Sequence, residues 1–263
     1  MADLLTRGFP GRPRKYWTTA LTKLASHGAP EGCPEFGYLL EADGAVVGAL
    51  LLIFSERDGQ LRCNVSSWYV EPDHRGHAAV LASMASKLKH VTYLNVSPAE
   101  HTRPILKALG YRLYNEGQFV ALPAFSRGGA GKVRRLADTP EHRALPDYDL
   151  LRAHADAGCT VAVCETDAGL EPFVFLRRRM AYAPLGVAQL VYARDTRSFA
   201  RCANSLGRFL LAQGVLAVIC DAAEPIPGLV GLHFAHRGAR YFKGAAAPAL
   251  NDLAFTEMVL FGA

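Results

Sequence analysis

The 263-residue sequence has no pair of cysteines at CxxC spacing and no large excess of charge of either sign. It also has no uncharged apolar run close to the roughly 18 residues of a membrane-spanning helix. Its six cysteines are isolated along the chain, which is typical of buried, reduced side chains and argues against a disulfide framework. The net charge of +5 suits an anionic small molecule but is small for a nucleic-acid-binding protein. We therefore expect neither a nucleic-acid partner nor a membrane partner.

The composition is that of an ordinary globular protein. Half of the residues are hydrophobic and 20% are charged, which excludes a disordered or collagen-like chain and provides for one or two domains. The first residues include Asp3 and lack the order of basic, apolar and small residues that marks a signal peptide. We expect a cytoplasmic protein.

The first half of the chain alternates strand-like and helical patterns. Asp43-Gly44 favours a tight turn between two strands, and Gly110 is a suitable end for a helix. The segment 78–89 has helical spacing, with Val80, Leu81, Met84 and Leu88 on one apolar face. Strands are predicted over 38–41, 46–54, 61–70, 91–96 and 111–122, and helices over 16–27, 78–89 and 99–109.

The second half repeats this order of elements with little sequence identity. Between the halves, residues 125–146 are rich in glycine, proline and charge, which indicates a linker. The predicted domains are therefore 1–124 and 147–263. Near the end of the chain we expect a helical piece over 229–235 and a last strand over 253–261. Helices that interrupt a mixed sheet place the fold in the α/β or α+β class.

One junction has the pattern of an anion site. A strand ends at Val70-Glu71-Pro72, and a short loop that contains Arg75 and small residues opens a helix. Free backbone N–H groups and the positive end of a helix favour a phosphate there, and small residues let it approach. An ordinary strand-to-helix turn has the same pattern, so the residues alone leave both interpretations open.

The same segment resembles the coenzyme-A-binding motif of the GNAT acyltransferase superfamily. The resemblance is carried by Val70-Glu71-Pro72, by Arg75-Gly76-His77-Ala78, and by the later step Leu109-Gly110-Tyr111. It implies two tandem GNAT-like domains, each a mixed, mainly antiparallel sheet flanked by helices. It also implies acetyl-CoA or another acyl-CoA as co-substrate, with no metal. The coenzyme-binding residues that it implies are Trp68, Tyr69, Val70, Arg75, Gly76, His77, Ala78 and Ala79.

The sequence departs from the family pattern at several positions. Ala78 and Val80 stand where loop glycines are usual, and Leu106 replaces a frequent general-acid tyrosine. The strand 63–70 carries no carboxylate. In the second half, the corresponding loop at 195–199 has no glycine, so the second domain is predicted to be degenerate.

Polar residues near the predicted opening between strands 68–70 and 91–96 are candidates for the chemistry. Ser67 and Asn95 could orient a water, and the backbone N–H groups near Trp68 and Tyr69 could stabilise an oxyanion. Ordinary strand-end hydrogen bonds are the alternative for Ser67 and Asn95. Glu257 lies among apolar neighbours, where it would form a buried ion pair or have its pKa raised at a site.

These observations favour an acyltransferase that moves an acetyl or other acyl group from acyl-CoA to an amine or hydroxyl. The acceptor would be a small molecule or a peptide. A catalytically degenerate acyl-CoA-binding or scaffold protein is one alternative, supported by the departures above. Aminoacyl transfer from tRNA, known in tandem members of the superfamily, is the other. The sequence does not specify the acceptor or the oligomeric state.

Overall fold

The computed structural model describes residues 1–57, 59–129, 131–178 and 186–262. The chain folds into two compact units. The first unit comprises Met1–Tyr114, Arg240–Ala247 and Phe255–Ala263, and the second comprises Asn115–Ala239 and Pro248–Ala254. Each unit is therefore assembled from segments that are distant in the sequence.

The α-helices are α1 Ala2–Gly8, α2 Arg14–His27, α3 Ala78–Ala85, α4 Arg103–Ala108, α5 Pro140–Arg143, α6 Tyr148–Asp156, α7 Thr196–Leu211 and α8 Glu257–Leu260. The strands are β1 Gly37–Ala42, β2 Ala45–Arg57, β3 Gln60–Val70, β4 Thr92–Asn95, β5 Arg112–Ala121, β6 Lys132–Arg135, β7 Thr160–Thr166, β8 Gly169–Arg178, β9 Gly186–Ala193, β10 Val215–Asp221 and β11 Gly231–Lys243. Short 3₁₀ helices span Pro72–His77, Glu100–Thr102 and Pro123–Phe125. Across the described ranges, no helix is both long enough and apolar enough to cross a bilayer.

The sheet of the first unit has the strand order β1-β2-β3-β4-β11. Strands β3 and β4 are parallel, and the other pairs of neighbours are antiparallel. Every residue of β2 from Val47 to Phe54 is buried, as expected for a strand covered on both faces. The chain passes from β3 to β4 through the 3₁₀ helix Pro72–His77 and α3, a β–helix–β crossover.

The sheet of the second unit has the order β5-β10-β9-β8-β7-β6 and one parallel pair, β9 with β10. Helix α7 connects that pair. Its buried residues Phe199, Cys202, Leu206 and Leu210 recur every three or four positions, so one helical face packs into the core. Both units therefore contain a helix between two parallel strands, with antiparallel strands beside them.

Local sequence signals predicted several of these elements correctly. Asp43 and Gly44 have φ values of +52° and +75°, which are the left-handed conformations that an Asp-Gly hairpin turn requires. Gly110 follows α4 with φ +85°, as expected at a helix end. Five of the six cysteines are buried, and no cysteine in the described ranges forms a disulfide.

The predicted apolar face of the helix after β3 was right at Leu81 but wrong at Val80 and Met84. Helix α3 ends at Ala85 instead of residue 89, and it buries Leu81, Ala82 and Ala85. Val80 and Met84 are 57% and 46% exposed. The chain enters α3 from a 3₁₀ turn, which has about three residues per turn, so the periodicity of the longer segment did not give the phase of the helix.

The end of the chain also differs from the prediction. Residues 253–261 form no strand, because Phe255 adopts φ +53° and Glu257–Leu260 form the short helix α8. All residues of α8 are buried, so their apolar pattern did not discriminate helix from strand. The helical piece predicted over 229–235 lies largely in β11, and the predicted linker 125–146 contains β6 and α5. Within that linker, Ala130 lies outside the described residues, and the domain boundaries stay a prediction.

Gly207 is required by the packing of α7 against the 3₁₀ helix Pro123–Phe125. A Cβ atom on Gly207 would lie 2.0 Å from the backbone nitrogen of Ala124. We expect Gly207→Ala to lower the free energy of unfolding by about 1–3 kcal/mol, because rigid backbone must move. Denaturant unfolding measures this. Gly129→Ala is the control, since its nearest contact would be at 3.9 Å. Equal stability of the two variants would contradict the packing.

Candidate functional site

A cavity of about 520 Å³ lies in the first unit where β3 and β4 separate. Only Arg62–Asn64 of β3 pair with β4, with Thr92–Leu94 as their partners. Beyond Asn64 and Leu94 the two strands diverge. The Asn95 side chain crosses the start of the opening, with its Nδ2 donating to the carbonyl of Val65 at 3.4 Å. Residues that follow the paired part of each strand therefore face each other across the cavity.

A β-bulge shapes the β3 side of the cavity. Leu51 pairs with Ser66 and Ala49 pairs with Tyr69, so Ser67 and Trp68 together face only Leu50. Ser67 has φ +51°, an uncommon conformation for a residue other than glycine. A bulge interrupts the regular hydrogen-bond ladder and redirects the groups beside it. The bulge therefore changes the direction of the backbone groups at Ser67 and Trp68.

Helix α8 brings a carboxylate to the same cavity. The Glu257 side chain lines it, although the residue is only 6% exposed. The backbone N–H of Glu257 donates to Asn64 Oδ1 at 2.8 Å, and Ser97 Oγ donates to Glu257 Oε1. Asn64 Nδ2 in turn donates to the carbonyl of Leu94 at 3.3 Å. One asparagine thus joins β3, β4 and the start of α8.

Burial raises the pKa of Glu257, while hydrogen bonds from Ser66 and Ser97 and the charge of Arg240 act in the opposite direction. The net shift is upward. Arg240 is itself buried and donates to the carbonyl of Val96. A carboxylate of this kind holds a proton more readily than an exposed glutamate, which is the property a general base needs near neutral pH.

Tyr16, from α2, also lines the cavity. Its pKa is raised by burial, lowered by the charge of Arg12 and raised again by the charge of Glu257. Tyr16 and Glu257 line the same cavity, so the charge of Glu257 acts on the Tyr16 hydroxyl. Tyr16 keeps its proton at neutral pH and can donate it.

The structure brings together half of the residues that the sequence suggested. Five of them line the cavity: Ser67, Trp68, Tyr69, Arg75 and Asn95. The others do not line it: Val70 is buried and pairs with Gly48, and Gly76, His77, Ala78 and Ala79 form the end of the 3₁₀ helix and the first turn of α3. Ser67 Oγ lies 3.0 Å from Ser66 Oγ.

Sequence reasoning missed the position of Glu257 and the contributions of Ser97 and Tyr16. The apolar surroundings of Glu257 did signal an unusual carboxylate, but a strand was predicted there instead of the helix α8. No motif marks Ser97 or Tyr16. Leu106, at the position of the usual acid, is 3% exposed and belongs to the core.

The corresponding opening in the second unit is filled by the chain itself. Strands β9 and β10 pair only as far as Gln189 and Ile219. Beyond these residues, the backbone N–H of Leu253 donates to the carbonyl of Val191 at 2.8 Å. The backbone N–H of Ala193 donates to the carbonyl of Asn251 at 3.3 Å. The Asn251 side chain accepts from the backbone N–H of Asp221 at 2.7 Å. These bonds place residues 251–253 where the first unit has its cavity.

The first turn of α7 also has hydrogen-bond donors paired within the protein. The Asp195 carboxylate accepts from the backbone N–H of Ser198 at 2.7 Å and from its hydroxyl at 3.0 Å. A protein carboxylate therefore occupies the helix end that would otherwise attract an anion.

No cluster of three or more histidine, cysteine, aspartate or glutamate side chains suited to a metal ion occurs among the residues that the structure describes.

Comparison with known proteins identifies the fold. No protein-family model and no curated protein sequence matches the chain. A GCN5-related N-acetyltransferase from Anabaena variabilis ATCC 29413 superposes with a TM-score of 0.58 at 8% identity, over 92% of this chain and 68% of that one. A conserved protein of unknown function from Enterococcus faecalis V583 gives 0.52 at 13% identity, over 96% and 70%. A GCN5-related N-acetyltransferase from Kribbella flavida gives 0.50 at 13% identity, over 85% and 68%.

The chain therefore has the GCN5-related N-acetyltransferase, or GNAT, fold. This confirms the fold class that the sequence predicted, a mixed sheet flanked by helices.

Proposed function

We propose that the protein is an acyltransferase. In this proposal the first unit binds acetyl-CoA or another acyl-CoA and transfers the acyl group to an amine or hydroxyl of a small-molecule or peptide acceptor. One observation carries the proposal: the buried Glu257 lies in the same cavity as the β3 bulge and the diverging strands β3 and β4. The GNAT fold supports it at the level of reaction class.

The coenzyme would bind along β3 and the start of α3. Arg75 lines the cavity and supplies a positive charge for the pyrophosphate, next to the N-terminal turn of α3. Gly76 follows it with no left-handed φ, and a Cβ there would meet no atom within 4 Å. The fold does not require glycine at this position, so close approach of a ligand accounts for it better. His77, Ala78 and Ala79 would contribute backbone groups to the same phosphate site.

The proposed reaction uses groups from both sides of the cavity. The lone pair of the acceptor nitrogen attacks the thioester carbonyl carbon, and the negative charge on the oxygen is stabilised by backbone N–H groups at the bulge, near Trp68 and Tyr69. The C–S bond breaks as the C–N bond is completed, and Glu257 receives the proton from nitrogen. Tyr16 is the candidate donor of a proton to the departing thiolate.

Ser67 and Asn95 have a different place in this scheme from the one that the sequence suggested. Asn95 bonds to Val65 across the start of the opening, and Ser67 adopts the strained conformation of the bulge. We propose that both maintain the geometry of the cavity and that proton transfer belongs to Glu257 and Tyr16. A hydroxyl and an amide cannot hold a proton as a base, whereas a carboxylate can.

Only the first unit would bind the coenzyme. In the second unit, residues 251–253 fill the opening between β9 and β10, and Asp195 caps α7. A coenzyme would have to displace several hydrogen bonds to enter. We therefore propose one acyl-CoA for each chain.

Calorimetric titration with acetyl-CoA, coenzyme A and a longer acyl-CoA tests this function. We expect one ligand per chain and, at 100 times the dissociation constant, a stabilisation of about 2.7 kcal/mol in thermal unfolding. Absence of binding by all three ligands would refute the acyltransferase proposal. Two ligands per chain would refute the single-site part alone.

A further inference from the structure

Two arginines that line the cavity of the first unit have no acidic partner among the residues that the structure describes. Arg12 and Arg75 take part in none of the ion pairs that the described residues form. The neighbouring arginines differ, since Arg7 pairs with Glu71 and Arg14 pairs with Asp3, each at 2.6 Å. With Arg75 assigned to the coenzyme phosphates, the charge of Arg12 remains to be matched by another ligand.

Arg12 is held in place without using its charged edge. Its backbone N–H donates to the carbonyl of Phe9 at 2.8 Å, and its guanidinium lies over the Tyr16 ring at 4.6 Å from the centroid. The guanidinium donates no side-chain hydrogen bond among the described residues, so the N–H donors around its edge are available to a ligand. Such an edge matches the two oxygens of a carboxylate.

A positive and a negative side chain line the cavity together with Tyr16. The charges of Arg12 and Glu257 both act on its hydroxyl, in opposite directions. Aromatic rings form another part of the wall: the Phe9 and Trp17 rings are 5.2 Å apart, and the Tyr16 and Trp17 rings are 5.1 Å apart. The cavity thus offers an acidic group for an amine, a basic group for an anion and a ring surface for an apolar side chain.

We infer that the acyl acceptor is an amino-acid-like molecule, with its amine directed to Glu257, its carboxylate to Arg12 and an apolar or aromatic side chain to Phe9 and Trp17. This inference rests on the proposed function. A single guanidinium balances the single charge of a carboxylate. An amine without an anionic group would leave Arg12 unmatched and would gain nothing from it.

A matched set of acceptors tests the inference. L-phenylalanine, L-phenylalaninamide and 2-phenylethylamine share the ring and the amine, and only the first carries a carboxylate. Release of coenzyme A thiol is measured with acetyl-CoA fixed, and rates are corrected for the fraction of unprotonated amine. We expect kcat/KM for L-phenylalanine to be higher by about tenfold or more, the value of a charge-assisted hydrogen bond.

Variants separate a contact to the carboxylate from a general effect of charge. Arg12→Gln should raise KM for L-phenylalanine by about tenfold or more, remove the preference and leave KM for acetyl-CoA unchanged. Arg14→Gln, which removes an arginine paired with Asp3, should keep the wild-type preference.

Equal use of the three amines would overturn the inference, and so would an unchanged preference in Arg12→Gln. Failure to acetylate L-phenylalanine and other carboxylate-bearing amines, by a protein that binds acetyl-CoA in calorimetry, would overturn it as well. Failure to bind acetyl-CoA is a separate result, which removes the proposed function itself and the acceptor assignment with it.

Discussion

Glu257→Gln is expected to lower kcat for acyl transfer by about 10²- to 10⁴-fold, the usual contribution of a general base. Glutamine has the same shape and keeps an oxygen for the Ser97 hydroxyl, and the backbone bond to Asn64 is unaffected. It cannot accept the proton of the attacking amine. Thiol release measures kcat, and calorimetry should show unchanged affinity for acetyl-CoA.

The pH dependence gives a second measurement on the same variant. Because burial raises the pKa of Glu257, the wild-type rate should increase with pH through a pKa above the ordinary glutamate range. The Glu257→Gln variant should not show this increase. A raised pKa means that the folded state holds the proton more tightly than the unfolded state. The contribution of Glu257 to the free energy of unfolding is therefore present at low pH, and it is lost as the pH rises through the folded-state pKa. At neutral pH the variant should be at least as stable as the wild type.

Glu100→Gln is the matched control for Glu257→Gln, because Glu100 is exposed in the 3₁₀ helix Glu100–Thr102 and does not line the cavity. It should retain the wild-type rate and pH profile. A normal kcat for Glu257→Gln would show that Glu257 is not the general base and that solvent water accepts the proton instead.

Arg75→Glu should raise the dissociation constant for acetyl-CoA by about 10- to 100-fold. The substitution removes a charge-assisted hydrogen bond, which is worth about 1.5–3 kcal/mol, and places a negative charge near the phosphates. Calorimetry at two salt concentrations measures the effect, which should shrink at higher salt because an exposed charge is screened. An unchanged affinity would show that the phosphates bind elsewhere.

Two further variants make the Arg75 result specific. Lys23→Glu makes the same change of charge on an exposed position of α2 that does not line the cavity, so affinity should be retained. Gly76→Ala changes no charge and meets no protein atom within 4 Å. If Gly76→Ala weakens binding without loss of stability, the coenzyme approaches the backbone at this residue.

Local sequence signals were sufficient for the elements whose conformation is set by neighbouring residues. The Asp43-Gly44 turn dictates left-handed φ values, and the strands predicted over 38–41, 46–54 and 61–70 correspond to β1, β2 and β3. The change from β3 to α3 was visible because a strand pattern stops at Pro72 and small residues follow. This local step is also what placed Arg75 and Trp68 near the cavity.

The rest of the site depends on contacts that are distant in sequence. Glu257 reaches the cavity through Asn64 and Ser97, and the latter is 160 residues away in the chain. Periodicity reports the neighbours of a residue on its own element, so it could identify Glu257 as unusual without locating it. The left-handed Phe255, which ends any strand before Glu257, is not a residue type that predicts such a conformation.

The discontinuous first unit also determines when the candidate site can form during synthesis. A ribosome completes the second unit's residues 115–239 before it adds Glu257. The strands around the cavity can pair as they emerge, but the carboxylate is added only after residues 115–239 and must close a long loop onto Asn64. Acyl-transfer activity should therefore appear only after Glu257 has been added, when most of the core of the first unit is already available to fold.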